Sequence, residues 1–104
     1  MAEIVWTEPA LDDLNQLAEY IALSNLNAAK QLVEKVFNAV TRLELFPESG
    51  RVPPELSELD YREVIVTPCR IFYKIENNNV FILHVLRQEQ DLRRYLLGVD
   101  KNND

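Results

Sequence analysis

The fold is decided by residues 61–87, which read YREVIVTPCRIFYKIENNNVFILHVLR. This stretch contains three runs rich in β-branched and aromatic residues, at 61–67, 70–76 and 80–86, and such runs are typical of strands. The first two are separated by Thr67-Pro68-Cys69 and the last two by Asn77-Asn78-Asn79. Asparagine tolerates a positive φ, so the Asn triplet predicts a tight hairpin. Strands joined by such short turns run antiparallel, and the stretch therefore predicts a three-strand meander.

The residues before this stretch predict a short strand and two helices. Residues 4–6 are apolar throughout, as in a covered strand, and Thr7 then offers an N-cap with Pro9 in the first helical turn. The apolar stripe of the first helix is Leu11, Leu14, Leu17/Ala18 and Ile21, and the helix should stop near Ser24-Asn25. The second begins at about Leu26, capped by Asn25 or Asn27, and ends at Phe46-Pro47; its stripe is Ala29, Leu32/Val33, Val36/Phe37, Val40 and Leu43. Together they predict a helical hairpin.

The remaining segments complete the predicted architecture. Residues 47–54 contain three prolines and one glycine and predict a loop, while the acidic residues 55–60 fit either a helical turn or more loop. Residues 87–97 read as a helix that Gly98 ends. We therefore predict an α+β fold in the order β-α-α-β-β-β plus a C-terminal helix, with the hairpin on an antiparallel sheet. Residues 1–104 should form one domain, with a flexible tail at about 98–104.

Composition restricts the class of protein. Of 104 residues, 47% are apolar and 27% charged, which is typical of a globular domain. An apolar run of about 18 residues is missing, and so is a secretory signal, so we expect a cytoplasmic protein without a membrane partner. Cys69 is the single cysteine; it cannot form an internal disulfide or a Cys-rich zinc site, and we predict neither metal nor cofactor.

The net charge of −6 is unevenly distributed along the chain. Residues 1–60 carry four basic and eleven acidic side chains, whereas residues 61–104 carry seven basic and six acidic ones. Proteins that bind nucleic acid usually show a basic surface, because neutralising phosphates supplies much of the affinity. Only the second part of this chain approaches that pattern, and it is where we expect the functional residues.

This order of elements, with its particular residues, resembles the ParE/RelE toxin superfamily. The likeness begins with Val5-Trp6, Ala10, Leu14, Tyr20-Ile21 and Ala28-Ala29. Leu43, Pro47, Gly50 and Arg51 resemble the segment L-x-x-x-P-x-x-G-R that follows the second helix in the family. Arg62-Glu63-Val64 and the runs 70–75 and 80–87 resemble its three closing strands. The likeness covers roughly residues 4–96, nearly the whole domain.

The resemblance implies one of two activities. RelE-like members are ribosome-dependent mRNA endonucleases, whereas ParE-like members poison DNA gyrase; a cognate antitoxin holds each inactive. A metal-free nuclease needs a base that takes the proton of the attacking hydroxyl, and cations that stabilise the charge that develops at the phosphorus. The candidates here are Arg62, Arg70, Arg87 and Tyr95, with the three arginines converging on one concave face.

The base of such a nuclease is missing from the sequence pattern. His84 lies within a strand and, if the sheet alternates, shares a face with Val80, Ile82 and Leu86, as a partly buried histidine with a neighbouring partner would. Tyr95 fits packing beside Leu92 and Leu96, and Tyr73 faces the core. A chain of pI about 4.7 is also repelled by the ribosome at long range. The ParE-like branch is therefore favoured.

We accordingly predict a gyrase-inhibiting toxin that causes growth arrest and is neutralised by a ParD-like antitoxin. The alternatives are a RelE-like mRNA endonuclease acting on the ribosome, and a non-toxic antitoxin-binding module. The predicted contacts with target or antitoxin are Arg51, Arg62, Arg70, Lys74, Arg87, Arg93 and Arg94.

These basic residues also have a structural interpretation. Arg62, Arg70 and Lys74 can pair with Glu63 and Glu76 across the sheet, which stabilises by only about 0.2–1 kcal/mol for each pair. Arg51 can anchor its loop by reaching a carbonyl group. Cys69, which follows Pro68 in a predicted turn, has no base beside it in sequence and is not expected to be a nucleophile.

Overall fold

The computed structural model describes residues 1–90 and confirms the α+β class, with two helices packed on a four-strand sheet. The elements are β1 (Glu3–Trp6), α1 (Glu8–Ala22), α2 (Leu26–Thr41), β2 (Arg62–Val66), β3 (Cys69–Glu76) and β4 (Asn79–Arg87). A 3₁₀ segment, Arg42–Glu44, continues α2, and a second one, Pro54–Leu56, precedes β2. Within residues 1–90 no helix is both long and apolar enough to cross a membrane.

The two helices begin where their capping residues predict. The Thr7 hydroxyl accepts a hydrogen bond from the Ala10 N–H at 3.4 Å and donates one to the Ile82 carbonyl at 2.6 Å, so the cap also joins α1 to β4. The Asn25 side chain accepts from the Ala28 N–H at 3.0 Å at the start of α2. Both caps satisfy backbone donors that would otherwise lack a helical partner.

The buried stripe of the hairpin differs from the predicted one at its first position. Ala10 is fully buried, whereas Leu11 is 42% exposed, because the stripe in α1 starts one residue earlier than predicted. In α2 and the 3₁₀ segment that continues it, the buried side chains are Ala29, Leu32, Val36, Val40 and Leu43. Phe37 is 38% exposed and contacts Trp6, with ring centroids 4.8 Å apart.

The sheet has the order β1-β4-β3-β2. β2, β3 and β4 form the predicted antiparallel meander, but β1 pairs with β4 in parallel, so the sheet is not antiparallel throughout. The physical reason is the helical hairpin between β1 and β2, since a long helical connection permits a parallel neighbour and a tight turn does not. β1 is an edge strand, and its Val5 side chain is 37% exposed. The prediction of a covered strand is therefore wrong.

The turn between β3 and β4 is the one that the Asn triplet predicts. Asn77 and Asn78 have φ values of 51° and 63°, and the strands resume pairing at Glu76 and Asn79. Two consecutive residues with positive φ match the right-handed twist of the flanking strands.

A register shift in β4 decides which side chains face the helices. Phe72 lies opposite His84 and Tyr73 opposite Ile82, which leaves Leu83 as an extra residue. Val80, Ile82 and Val85 therefore all belong to the core beneath the helices, while Leu86 packs on the other face. The prediction that His84 shares a face with Val80 and Ile82 is wrong, because strict alternation stops at this bulge.

The predicted helix at 87–97 does not begin at Arg87. Strand β4 continues through Arg87, which pairs with Cys69, and the Gln88 N–H then donates to the Pro68 carbonyl at 2.8 Å. Residues 88–90 form a turn closed by a hydrogen bond from the Gln90 N–H to the Arg87 carbonyl at 3.0 Å. The rest of that helix, Gly98 and the predicted tail lie outside the described residues.

Candidate functional site

The sheet has two buried faces, and the predicted site residues are divided between them. The inner face lies under the helices. The outer face carries a smaller apolar cluster of Leu56, Phe72 and Leu86, with Tyr61 packed against it. Side chains of paired residues on neighbouring strands share a face, so the register assigns each arginine to one of them.

Arg70 lies on the outer face and is almost completely buried, with 5% exposed. Its Nη1 and Nη2 donate to the two carboxylate oxygens of Glu55 at 2.6 and 2.7 Å, and its Nε donates to Glu63 at 2.8 Å. Nη1 also donates to the Gln90 carbonyl at 2.9 Å, and the guanidinium lies 4.9 Å from the centre of the Phe72 ring. The hydrogen bonds to Glu55 above all raise the pKa of Arg70 further above its ordinary value. Its charge is neutralised within the fold.

Glu63 joins Arg70 to Arg51. The Glu63 carboxylate is fully buried, and its second oxygen accepts from Arg51 Nε at 2.6 Å. The backbones of Arg51 and Glu63 also exchange two hydrogen bonds, of 2.9 and 2.8 Å. Arg51, Glu63, Arg70 and Glu55, called the charge network below, thus contain two positive and two negative groups. Arg51 anchors its loop as predicted, but it does so by bonding to the carboxylate and the backbone of Glu63 and not by reaching a loop carbonyl with its side chain. Its side chain is 60% exposed.

Arg62 bonds to the loop carbonyls instead. It lies opposite Tyr73 on the inner face, and its Nη1 donates to the carbonyls of Glu48 and Gly50 at 3.1 and 2.9 Å. Tyr73 is fully buried, as predicted; its hydroxyl donates to the Pro47 carbonyl at 2.7 Å and accepts from the Gly50 N–H at 2.8 Å. A Cβ atom at Gly50 would collide with that hydroxyl and lie 2.8 Å from the Glu63 carbonyl oxygen, so this close approach requires glycine.

The side chains of Lys74 and Arg87 are 40% and 50% exposed, and each forms an ion pair. Lys74 lies 3.1 Å from Glu76, and this hydrogen bond raises the pKa of Lys74. Arg87 is half exposed, 3.1 Å from Glu89, and lies opposite Cys69 at the end of β4. Because these pairs are largely exposed, they stabilise the fold little.

The three candidate nuclease arginines do not converge. Arg62 and Arg87 share the inner face but lie opposite Tyr73 and Cys69, at different positions along β3. Arg70 lies opposite Leu86 on the outer face. Tyr95, Arg93 and Arg94 lie outside the described residues. Residues 1–90 thus contain no cluster of these arginines around one point.

His84 has the neighbouring partner that its sequence position predicts. Its Nδ1 lies 3.2 Å from Asp13, and the same carboxylate oxygen accepts from the Val85 N–H at 3.0 Å. His84 also borders an apolar groove of about 420 Å³ on the outer face, together with Phe72 and Tyr61. The pair links α1 to β4 across 71 residues of sequence, and no local pattern indicates it.

Cys69 has no nucleophilic character in the structure. It is fully buried, as the first residue of β3 and not in the predicted turn, and burial together with the charge of Glu89 raises the pKa of its thiol to about 11. The thiolate is the reactive form, and it is scarce at neutral pH. In the described part of the chain, no group of three or more His, Cys, Asp or Glu side chains is arranged to hold a metal ion.

Comparison with known proteins agrees with the fold. Residues 4–92 match the family described as the ParE toxin of the type II toxin–antitoxin system, parDE. Toxin RelE2 of Caulobacter vibrioides is 31% identical over 86 residues, which cover 82% of this chain and 93% of that protein.

Solved structures share the same fold at lower identity. A chain of the chromosomal ParDE system from P. aeruginosa superimposes with a TM-score of 0.71 at 24% identity, covering 86% of this chain and 98% of that one. A chain of the RelBE2 toxin–antitoxin complex from Mycobacterium tuberculosis superimposes with a TM-score of 0.56 at 21% identity, covering 84% of this chain and 98% of that one. The isolated E. coli RelE toxin superimposes with a TM-score of 0.52 at 16% identity, covering 94% of this chain and 96% of that one.

A helical hairpin on this four-strand sheet, together with these matches, defines the class of protein: the toxin components of type II toxin–antitoxin systems that form the ParE/RelE superfamily. The family match extends over most of the chain. Within that superfamily, the chain belongs to the ParE toxin family.

Proposed function

We propose that the protein inhibits DNA gyrase, blocks replication and is neutralised by a cognate ParD-like antitoxin. The observation that carries the choice of target is the state of Arg70. A nuclease of this superfamily would use this arginine for the phosphate, yet here it is 5% exposed and paired with two carboxylates. A gyrase poison needs no such site, because it acts by binding.

The exposed cations supply the proposed contacts. Arg51 is 60%, Arg87 50% and Lys74 40% exposed, and Arg93 and Arg94 join them as predictions from the sequence. Arg62 fits a supporting role, because it bonds to two loop carbonyls. With a net charge of −6, binding to a protein surface is favoured over binding to nucleic acid.

The antitoxin is proposed to cover the same cations. An acidic segment that folds on binding would neutralise Arg87 and Lys74 and bury the apolar side chains beside them. Gyrase acts on chromosomal and plasmid DNA, so the proposed site of action is the cytoplasm.

The test is a supercoiling assay with purified gyrase and relaxed plasmid. The toxin should block supercoiling or trap cleaved DNA, and Arg87→Ala should weaken this effect. Lys30→Ala is the matched control, because it removes one positive charge from an exposed position of α2 and should leave inhibition unchanged. No inhibition by the folded toxin at a large molar excess would contradict the proposal.

An mRNA endonuclease of the RelE kind is the second candidate, favoured by the 31% identity to Toxin RelE2. Primer extension on translated message separates the two. New 5′ ends that depend on the ribosome would support cleavage, whereas intact message during growth arrest supports gyrase as the target. Normal growth on expression without antitoxin would indicate the non-toxic binding module instead.

A further inference from the structure

The helical hairpin has a second apolar surface, on the side that is turned away from the sheet. A groove of about 420 Å³ runs there between α1 and α2, and none of the described sheet residues lines it. Its lining consists of Ala18, Glu19 and Ala22 from α1 and of Leu26, Ala29, Lys30, Val33 and Glu34 from α2. This surface is called the hairpin groove below.

Two strongly exposed leucines extend the hairpin groove at the tip of the hairpin. Leu23, which directly follows Ala22 and α1, is 85% exposed, and Leu26, the first residue of α2, is 60% exposed. A single exposed leucine is ordinary on a protein surface. These two adjoin an apolar groove, and together with it they form a continuous apolar patch of the kind that marks an interaction surface.

The hairpin groove carries opposite charges on its two sides. The helices run antiparallel, so Ala22 lies across the groove from Leu26, and about one helical turn farther from the tip Glu19 lies across from Lys30. Within residues 1–90, neither Glu19 nor Lys30 forms an ion pair. The α1 side of the groove therefore offers a negative charge, and the α2 side offers a positive one.

A second copy of the chain complements this arrangement. If two hairpins face each other about a two-fold axis that runs along the groove, α1 of each copy lies on α2 of the other. Glu19 of each copy then faces Lys30 of the other, so two opposite-charge pairs form together. The same rotation places each Leu26 on Ala22 of the other copy, a large side chain on a small one. An axis across the groove would instead place α1 on α1 and Glu19 near its own copy.

We infer that the hairpin groove is a self-association surface and that the free toxin forms a two-fold dimer through it. A helix of another protein would have to supply both charges in the right places, whereas in a second copy their match follows from symmetry. The inference does not depend on gyrase inhibition. The exposed cations proposed to contact gyrase, Arg51, Lys74 and Arg87, do not line the groove, so inhibition is expected to be the same with and without dimerisation.

The first experiment measures the mass of the purified full-length toxin by sedimentation equilibrium. For so small a contact we expect a dissociation constant on the order of 10 μM, so the average mass should approach that of two chains at about 200 μM. Leu26→Glu should raise this constant at least about tenfold, and it should fold, because a carboxylate suits the first turn of a helix. Leu45→Glu, at a 64% exposed leucine outside the groove, is the matched control and should associate as the unchanged protein does. A toxin that remains a single chain at about 200 μM would overturn the inference.

The second experiment exchanges the two charges. Lys30→Glu and Glu19→Lys should each weaken association about tenfold, because the two-fold axis turns both charge pairs into like-charge contacts. The double variant restores both pairs with their signs exchanged and should dimerise as the unchanged protein does. A double variant that associates no better than either single one would contradict the proposed pairing. A monomeric toxin in which Leu26→Glu weakens only the complex with the antitoxin would assign the groove to that partner and would also overturn the inference.

Discussion

Over residues 69–73, both faces of β3 are buried, but they are stabilised by different interactions. On the inner face, Cys69, Ile71 and Tyr73 are fully buried beneath the helices. On the outer face, Arg70 and Phe72 are 5% and 2% exposed, and beside the apolar cluster Arg70 forms ion pairs with Glu55 and Glu63. The inner face is stabilised by apolar burial, which tolerates exchange between apolar side chains of equal volume but not an added atom. The outer face depends on paired charges, where losing one partner leaves the other buried and unpaired.

The largest expected effect comes from breaking the charge network at its centre. Glu63→Ala leaves the buried Arg70 with half of its neutralising charge and removes the partner of Arg51. We expect the free energy of unfolding to fall by about 3–5 kcal/mol, measured by urea denaturation. A loss below about 1 kcal/mol would mean that the ion pairs of the outer face contribute no more than exposed ones do.

A substitution at Gly50 tests the inner face at its closest contact. Gly50→Ala places a methyl group against the Tyr73 hydroxyl and the Glu63 carbonyl oxygen, so either the loop or β3 must shift. The expected cost is about 2–3 kcal/mol in the same urea experiment. Ser49→Ala, at the preceding exposed position, should change stability by less than about 0.5 kcal/mol, and an equal effect of both variants would show that the contact is unimportant.

Alkaline pH tests the same face through Cys69. Its thiol pKa is raised from 9.0 to about 11 in the folded protein, so above pH 9 the unfolded chain releases a proton that the folded one retains. Stability contributed by the buried thiol is therefore complete below pH 9 and is lost as the pH approaches 11. Relative to Cys69→Ala, the protein should lose about 2 kcal/mol over this range. Parallel pH profiles for the two proteins would show that the thiol is not buried as described.

The smallest effect is expected at Lys74. Its ion pair with Glu76, at 3.1 Å, is longer than the Arg70 pairs at 2.6 and 2.8 Å, and its two side chains are 40% and 55% exposed. Water and salt screen such a pair, so Lys74→Ala should leave the urea midpoint unchanged. A clear drop would show that exposure does not separate the two kinds of ion pair.

Sequence patterns predict those parts of the molecule that depend on local spacing. The caps Thr7 and Asn25, the helical stripes and the Asn77–Asn78 turn follow from rules that act within a few residues. The parallel pairing of β1 and the bulge at Leu83 depend on how distant segments meet, and no short pattern encodes them. The same applies to the outer face, since Glu55 and Arg70 are 15 residues apart in sequence, with a loop, strand β2 and a turn between them. The sequence identifies the arginines as candidate site residues. It does not separate the buried ones from the exposed ones, because that depends on contacts between distant segments.

Two variants in one gyrase assay test whether inhibition depends on the exposed arginines and not on the buried one. Arg70→Lys should lower stability but, where the protein is shown to be folded by near-UV circular dichroism, should inhibit supercoiling at the concentration that the unchanged toxin needs. Arg87→Ala should keep its stability and need a higher concentration. The opposite result, in which folded Arg70→Lys loses inhibition and Arg87→Ala retains it, would place the functional site at the buried arginine and would rule out an exposed binding surface at Arg87.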